Sequence, residues 1–277
     1  MKTWTVLELL NWAEDYFTKH NIPEPKTSAE WLLSTVLNFD NRLELYTKFE
    51  APVSETNLQT FKKYIIRRLN REPVQYICGK TSFFGFPITV NRNVLIPRPE
   101  TELLVEKAKE IIAHAPVKIL DLCTGSAAIA VALAKLLGNK KIFAADISYP
   151  ALQTAKQNIA ANGTQIHLIN GDMLQPFKDN SFDVIISNPP YIKTADMANL
   201  EPEIKDNEPL AALDGGEEGL DAYKKIIPAA ERVLKNNGLL ILEIGPVAAQ
   251  NIQTNLTKID LVEDLNHLPR ILILKKS

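Results

Sequence analysis

The 277-residue sequence contains only two cysteines, Cys78 and Cys123, and neither has a partner at CxxC spacing. Its four histidines, His20, His114, His167 and His267, are scattered. No disulfide framework and no zinc-binding spacing can be built from them. No stretch approaches 18 uninterrupted apolar residues, which argues against a helical membrane span. The opening Met1-Lys2-Thr3-Trp4-Thr5 lacks the apolar core of a secretory leader, so a cytoplasmic protein is expected. A basic excess is also missing: 31 Lys+Arg face 33 Asp+Glu, for a formal charge of −2. That balance does not suit a bulk nucleic-acid binder, so no direct nucleic-acid partner is expected beyond a local basic patch. Internal repeats and low-complexity runs are absent. The remainder, 45 % hydrophobic and 23 % charged, is ordinary for a globular chain. A chain of this length can bury a sizeable core without staples.

Residues 1–72 read as a small helical bundle. Thr5-Val6-Leu7-Glu8 forms a capping box, followed by Leu9, Leu10, Ala13 and Phe17 at helical spacing. Pro23 and Pro25 break that pattern. Thr27-Ser28-Ala29-Glu30 reads as a second capping box, with Ala29, Leu32, Leu33, Val36 and Leu37 on one face. Ser54 caps a further helix carrying Leu58, Phe61, Ile65 and Leu69 inward. Lys62, Lys63, Arg67, Arg68 and Arg71 lie on or just beyond that helix. They read either as a solvated face or as a docking surface for an acidic protein or RNA. Residues 73–95 read as a β-hairpin linker, since Phe83, Phe84, Phe86, Ile88 and Val90 are punctuated by Gly79, Gly85 and Pro87.

From about residue 102 onward helix and strand alternate. Helices are expected at Glu102 to Ala113, Ala127 to Leu137, Ala151 to Ala161 and Leu220 to Leu234. Strands are expected at Lys118 to Leu122, Lys141 to Ala145, Ile166 to Ile169, Phe182 to Ser187, Gly238 to Glu243 and Arg270 to Leu274. The alternation predicts an α/β domain built on a doubly wound, mostly parallel sheet. Lys193 to Gly219 is long for a loop in such a domain, and loops of that length are often functional.

Four constellations carry chemistry. Asp121-Leu122-Cys123-Thr124-Gly125-Ser126-Ala127 falls at a strand-to-helix junction, where small residues let a ligand approach the backbone. A dinucleotide fingerprint would need glycine at 123, 125 and 128, and only Gly125 fits. The acid-x-small-x-Gly-x-small pattern suits S-adenosylmethionine better, because there is no pyrophosphate to cradle. Asp146 ends the next strand and is placed to accept both ribose hydroxyls, while Ser148 is better placed to cap the following helix. Asp172 and Met173 follow the third strand and suit an adenine amine and ring. Finally, Asn188-Pro189-Pro190-Tyr191 leaves a buried-type strand at its carboxyl end, where ligands bind in such sheets. Two prolines stiffen the tetrapeptide. The Asn188 side-chain oxygen and the Pro189 carbonyl can take both hydrogens of a planar NH₂ group, with Tyr191 stacking on its plane.

Together with Ile96-Pro97-Arg98-Pro99-Glu100-Thr101-Glu102, the Phe83-Phe84-Gly85 hairpin and the Leu200-Glu201-Pro202-Glu203 to Gly215-Gly216 insertion, these motifs resemble the PrmC (HemK) family. Its members are release-factor glutamine methyltransferases, and the resemblance runs over nearly the whole chain. It implies a seven-stranded, Rossmann-like methyltransferase domain over 96–277, a substrate-docking helical domain before it, and S-adenosylmethionine as methyl donor. It further implies a class I peptide-chain release factor as partner and N5 of the glutamine in that factor's Gly-Gly-Gln loop as acceptor. The expected chain is a monomer. By resemblance Asp121, Cys123, Thr124, Gly125, Ser126, Ala127, Asp146, Asp172, Met173 and Asn188 hold the cofactor. Asn188, Pro189, Pro190 and Tyr191 take the glutamine amide, Phe83 stacks nearby, and Arg98 and Glu100 buttress the site. Two positions depart from the family's pattern: Ala127, usually glycine, and Cys123, often glycine, which reads as a small packing residue rather than a nucleophile. Three neighbouring readings share features: a ribosomal-protein glutamine methyltransferase, an adenine-N6 methyltransferase acting on nucleic acid, and a non-catalytic module on the same fold.

Overall fold

A computed structural model describes residues 3–39, 41–112, 117–138, 140–245 and 248–277. Met1, Lys2, Ala113 and His114 of the sequence reading lie outside the described residues. The chain divides into a helical unit, 1–79 with 201–207, and a sheet unit, 80–200 with 208–277.

In the helical unit, α1 (Val6–Lys19) opens on the expected capping box: the Glu8 N–H donates to Thr5 Oγ1 at 3.3 Å, and the Thr5 N–H donates to Glu8 Oε2 at 3.0 Å. α2 (Pro25–Val36) starts earlier than expected, because Pro25 supplies a first helical residue with no N–H to satisfy. Thr27 to Glu30 are therefore helix interior, and Glu30 instead accepts from Arg42 and Tyr46 on and beside the short α3 (Leu43–Thr47). α4 (Glu55–Leu69) is capped by Ser54, whose Oγ accepts the Asn57 N–H. The unit runs on past residue 72 through α5 (Val74–Cys78). Val6, Leu9, Leu10, Ala13 and Phe17 of α1 meet Ala29, Leu32 and Leu33 of α2 and Phe61 and Ile65 of α4 in one apolar core. Each large side chain so buried contributes about 1.5–3 kcal/mol.

Neither reading of the basic face fits all its members. Lys62 and Lys63 are exposed, but Arg68 is buried and Arg67 is bound to Glu72 at 2.8 Å. Arg68 donates to Glu203 Oε1 at 2.9 Å and Arg71 to Glu203 Oε2 at 2.7 Å. Glu203 lies on α9 (Pro202–Lys205), a segment far along the chain that belongs to this unit. Helical spacing could not reveal this, because the counter-charge is remote in sequence.

The sheet unit begins with the expected hairpin, β1 (Lys80–Phe83) and β2 (Phe86–Thr89), turning at Phe84-Gly85 with both φ positive. The hairpin belongs to this unit rather than standing as a separate linker. Asn158 of α8 (Tyr149–Ala161) ties it down: its Oδ1 accepts the Thr89 N–H at 2.7 Å and its Nδ2 donates to the Thr89 carbonyl at 3.0 Å. Then follow α6 (Pro99–Ile112), β3 (Lys118–Leu122), α7 (Ala128–Leu137), β4 (Lys141–Asp146), β5 (Ile166–Asn170) and β6 (Phe182–Ser187). After the insertion come α10 (Asp221–Val233), β7 (Leu234–Glu243), α11 (Ala248–Asn251), β8 (Thr257–Glu263) and β9 (Pro269–Lys275). The sheet has seven strands in the order β5-β4-β3-β6-β7-β9-β8, with β9 antiparallel to both neighbours. The sequence reading missed β8. It is a largely exposed edge strand bearing Lys258, Asp260 and Glu263, without the buried apolar run that marks the central strands.

The winding reverses between β3 and β6, the place where doubly wound sheets open a crevice at their carboxyl ends. Register defines what lines it. Leu122 pairs with Ala145 and with Ser187, Asp146 with Asn170, and Ser187 with Leu242. Asn170, Asp146, Cys123, Asn188 and Glu243 therefore form one row along the carboxyl edge.

Removing one carboxylate should test the buried pair. Glu203→Ala strands the Arg68 guanidinium, whose side chain is 5 % exposed, and should cost the helical unit about 3–5 kcal/mol. All three tryptophans, Trp4, Trp12 and Trp31, lie in this unit, so urea unfolding followed by tryptophan fluorescence reads it directly. The two guanidiniums hold the Glu203 carboxyl below its ordinary value despite burial. Its contribution is full above the unfolded-state value and is lost as pH falls through the lowered folded one. The midpoint difference between wild type and variant should shrink in acid.

Candidate functional site

A cleft of about 250 Å³ opens over the carboxyl ends of β3, β4 and β6. Cys123 and Gly125, Asp146 to Ser148, Gly171 to Met173, and Asn188 and Pro190 line it, with Asn93 to Leu95 and Pro209, Ala211 and Ala212 as further walls. A larger cleft of about 600 Å³ on the same unit, beside Tyr223 and Ile252, holds none of the sequence-predicted residues, so size does not identify the site.

Each wall has a local cause. Between β3 and α7 the chain turns through three left-handed residues, Cys123 (φ +59), Gly125 (φ +53) and Ala127 (φ +61). The two positions that depart from the family's glycine pattern thus adopt the conformation that favours glycine. Asp121 holds the turn from behind, fully buried: Oδ2 accepts the Thr124 hydroxyl and the Ala130 N–H, the latter at 3.1 Å. Its Oδ1 has no partner among the described residues. Burial pushes its pKa up to about 7. Thr124 bonds back to the Ala145 carbonyl at 3.0 Å, and the Ser126 carbonyl accepts from Asn158 at 2.9 Å. Asp121, Thr124, Ser126 and Ala127 therefore form the frame of the loop, and Cys123 and Gly125 form its face.

Asp146 meets the cleft with both carboxylate oxygens half-used. Oδ2 accepts the Gly125 N–H at 2.8 Å and Oδ1 the Ser148 N–H at 2.9 Å, leaving each able to accept again. Ser148 caps α8, as its position suggested. Nothing lies within 4 Å of a Cβ built on Gly125, so the loop face is open to a ligand. Met173 stands with its sulfur 3.9 Å from Cys123 Sγ, and Asp172 holds the Gln175 amide at 3.0 Å. Burial pushes the Cys123 thiol up to about 12, so it remains protonated and acts as packing.

At the end of β6 the Asn188 Nδ2 donates to Thr101 Oγ1 at 3.1 Å, which turns Oδ1 away as a free acceptor. Pro190 shares the cleft wall with Asn188, whereas Pro189 is buried. Tyr191 lies outside this cleft. Its ring packs so closely on Gly245 that an added Cβ there would sit 2.9 Å from it, and its hydroxyl reaches Glu243 Oε1 at 3.4 Å. Burial and the Glu243 charge push the phenol up to about 12, keeping it neutral. Phe83 is 1 % exposed and stacks edge-on against Phe84, so it sits in the core rather than on the cleft. Arg98 braces Glu208 at 2.6 Å, next to Pro209 of the cleft wall, while Glu100 is exposed on the first turn of α6. Its neighbour Glu102 takes the Phe84 N–H at 2.6 Å and holds the hairpin turn.

Sequence reasoning missed Thr101, Asn158, Glu208 and Glu243. The first three act through contacts remote in sequence. Glu243 carried a readable signal, since it ends its strand on the carboxyl edge as Asp146 does.

A family model for the PrmC N-terminal domain matches residues 8–79, and one for the methyltransferase small domain matches residues 99–205. The release factor glutamine methyltransferase of Thermodesulfovibrio yellowstonii is 44 % identical over 258 residues, covering 90 % of this chain and 92 % of its own. That of Geobacter sulfurreducens is 40 % identical over 249 residues, covering 90 % and 87 %. Among solved structures, a methyltransferase from Pyrococcus furiosus superposes with a TM-score of 0.53 at 20 % identity, over 71 % of this chain and 91 % of that one, and shows the shared fold.

The buried Asp121 makes a pH prediction. Its folded pKa of about 7 exceeds the ordinary 3.8, so the folded state holds a proton the unfolded state has lost. Stability therefore declines as pH rises from about 4 to about 7 and levels off above, by on the order of 4 kcal/mol. Calorimetric unfolding of wild type and Asp121→Asn should show this slope in the first and lack it in the second.

Proposed function

The chain belongs to the release factor glutamine methyltransferases, and on that premise we propose that it methylates N5 of the glutamine in the Gly-Gly-Gln loop of class I peptide-chain release factors. The carrying observation is that Asn188, tethered by its nitrogen to Thr101, offers its oxygen at the rim of a cleft built for a nucleoside.

The residues present fit S-adenosylmethionine. The two half-used oxygens of Asp146 suit two ribose hydroxyls, the open face of Gly125 suits the aminoacyl part, and Asp172 and Met173 suit the adenine. When bound, the cofactor supplies an electrophilic methyl group on a sulfonium whose charge is lost on transfer.

The protein's part is alignment. A carboxamide nitrogen is a poor nucleophile because its lone pair is delocalised into the carbonyl. Asn188 Oδ1 and the Pro189 carbonyl accept its two N–H groups and so fix the plane of the amide, leaving the lone-pair direction toward the methyl donor. Asn188 is neutral and no strong base, so the nitrogen sheds its proton after the new bond has formed. The rate gain comes from orientation and from preorganised acceptors in a water-poor cleft. Tyr191 supports the clamp from behind, through Gly245 and Glu243, rather than by stacking on the amide.

The helical unit is assigned to docking the release factor, with the chain acting as a monomer in the cytoplasm. No described helix is long and apolar enough to cross a membrane.

Asn188→Ala should lower turnover on a purified release factor about 10²- to 10³-fold while changing cofactor affinity, read by calorimetry, less than about threefold. Asp146→Ala should do the reverse, raising the cofactor Kd well beyond its effect on turnover at saturation. A release factor whose loop glutamine is replaced by alanine should take up no labelled methyl; label on it would refute the glutamine assignment.

A further inference from the structure

Two walls of the cleft are loops rather than strand ends: Asn93 to Leu95, and the stretch that holds Pro209, Ala211 and Ala212. Each is anchored at its far end. Asn91, just before the first wall, donates from Nδ2 to the Thr154 hydroxyl of α8 at 3.0 Å. Leu213, just after the second, accepts the Ile192 N–H at 2.9 Å, one residue beyond the Asn188 tetrapeptide. The near ends of both walls meet at Glu208. It directly precedes Pro209, and its Oε2 accepts the N–H of Ile96, the residue after Leu95, at 3.4 Å. Its Oε1 accepts from Arg98, two residues further on, at 2.6 Å. The Glu208 side chain is 1 % exposed, and a carboxylate buried so deeply persists where hydrogen bonds replace water. Burial pushes its pKa up, against the Arg98 charge and the hydrogen bonds from Arg98 and Ile96. Pro209 restricts the backbone at the next step, so the second wall leaves Glu208 in a set direction. Glu208, Ile96 and Arg98 all lie outside the cleft lining.

We propose that Glu208 is a positioning residue for the cofactor, a buried clasp that sets the spacing of the two walls. One wall is held to its carboxylate through the Ile96 N–H and the Arg98 guanidinium, and the other is continuous with its backbone. With the clasp made, the walls stand where S-adenosylmethionine meets them before it arrives, and binding does not have to order them. With the clasp broken, the second wall keeps its anchor at Leu213 but loses the one at its start. Leu210, within that wall, is 61 % exposed, so the loop has room to move outward. The cofactor Kd then rises by the inverse of the fraction of molecules whose walls are correctly spaced. A bound cofactor holds both walls itself, so the chemical step at saturation is left unchanged. Glu208 therefore acts on cofactor affinity, whereas Asn188 acts on turnover.

The clasp rests on the reading of this cleft as the S-adenosylmethionine site, and the test separates the two. Glu208→Ala, Glu208→Gln and Asp183→Ala are compared with wild type as full-length chains. The readouts are calorimetric titration with S-adenosylhomocysteine, methyl transfer to a purified release factor at saturating cofactor, and thermal unfolding. Glu208→Ala removes both grips and should raise the Kd about tenfold or more, with kcat at saturation within about threefold of wild type. Glu208→Gln keeps the volume and one acceptor oxygen, so it should fold and give a Kd between the two. Asp183 is the control for stability alone: it takes the Lys118 N–H at 2.8 Å and the Lys235 amine at 2.9 Å at the amino ends of β3 and β6, away from the cleft. Asp183→Ala should lower Tm and leave the Kd within about threefold of wild type. Hydrogen exchange over residues 209–214 should quicken in Glu208→Gln and slow when S-adenosylhomocysteine is added. An unchanged Kd in both Glu208 variants, a loss that falls on kcat instead, an equal rise in Kd in Asp183→Ala, or exchange indifferent to Glu208→Gln would each overturn the clasp. A wild-type chain that does not bind S-adenosylhomocysteine would overturn the cofactor reading, and the clasp with it.

Discussion

The hydrogen bond from the Asn188 amide to the Thr101 hydroxyl is the constraint around which the site is built. It requires the first turn of α6 to lie against the carboxyl end of β6. Pro99, which begins α6, supplies that turn with a first residue that needs no partner for an N–H. The same turn contributes Glu102 to the hairpin, and Arg98 just before it braces Glu208. One short stretch, 98–102, thus locates the Asn188 amide, the hairpin turn and a wall of the cleft. Its density of charge is structural in origin.

The cleft follows from a similar economy at the strand ends. Each central strand finishes in or next to a side chain that must find hydrogen bonds once buried. Asp121 finds them in the loop that follows it, Asp146 in Gly125 and Ser148, and Ser187 in the Leu122 carbonyl at 2.7 Å. These bonds cross from one strand to the loop of the next and stiffen the edge as a unit. What is left over points at the cleft: the spare acceptor capacity of Asp146 and the oxygen of Asn188. Binding capacity here is the residue of incomplete internal satisfaction, distributed along one row of the sheet.

Much of this was legible in the chain. The central strands announce themselves by apolar runs, and the Asp121 loop, Asp146 and the Asn188 tetrapeptide could be placed at strand ends because strand ends can be read. What could not be read depends on distant pairings. Phe83 was expected, by resemblance, to stack beside the substrate amide, but it is buried, since hairpin alternation does not say which face packs inward. Tyr191 looked like a stacking ring, yet Gly245, more than fifty positions away, leaves the gap that draws it aside. Arg68 carried the signature of a solvated helix face, and only the fold brings Glu203 to it. β8 escaped notice because an edge strand guarded by charges lacks the hydrophobic pattern that makes strands visible.

The return of 201–207 to the helical unit has a consequence for how such chains diversify. A module encoded by one continuous stretch can be lost, duplicated or exchanged by a single recombination event. For this one such an event carries a cost, because a cassette ending at Gly79 would hold the Arg68 and Arg71 guanidiniums without the carboxylate that both of them bind. The two parts are interleaved in the gene, and stability favours their staying together.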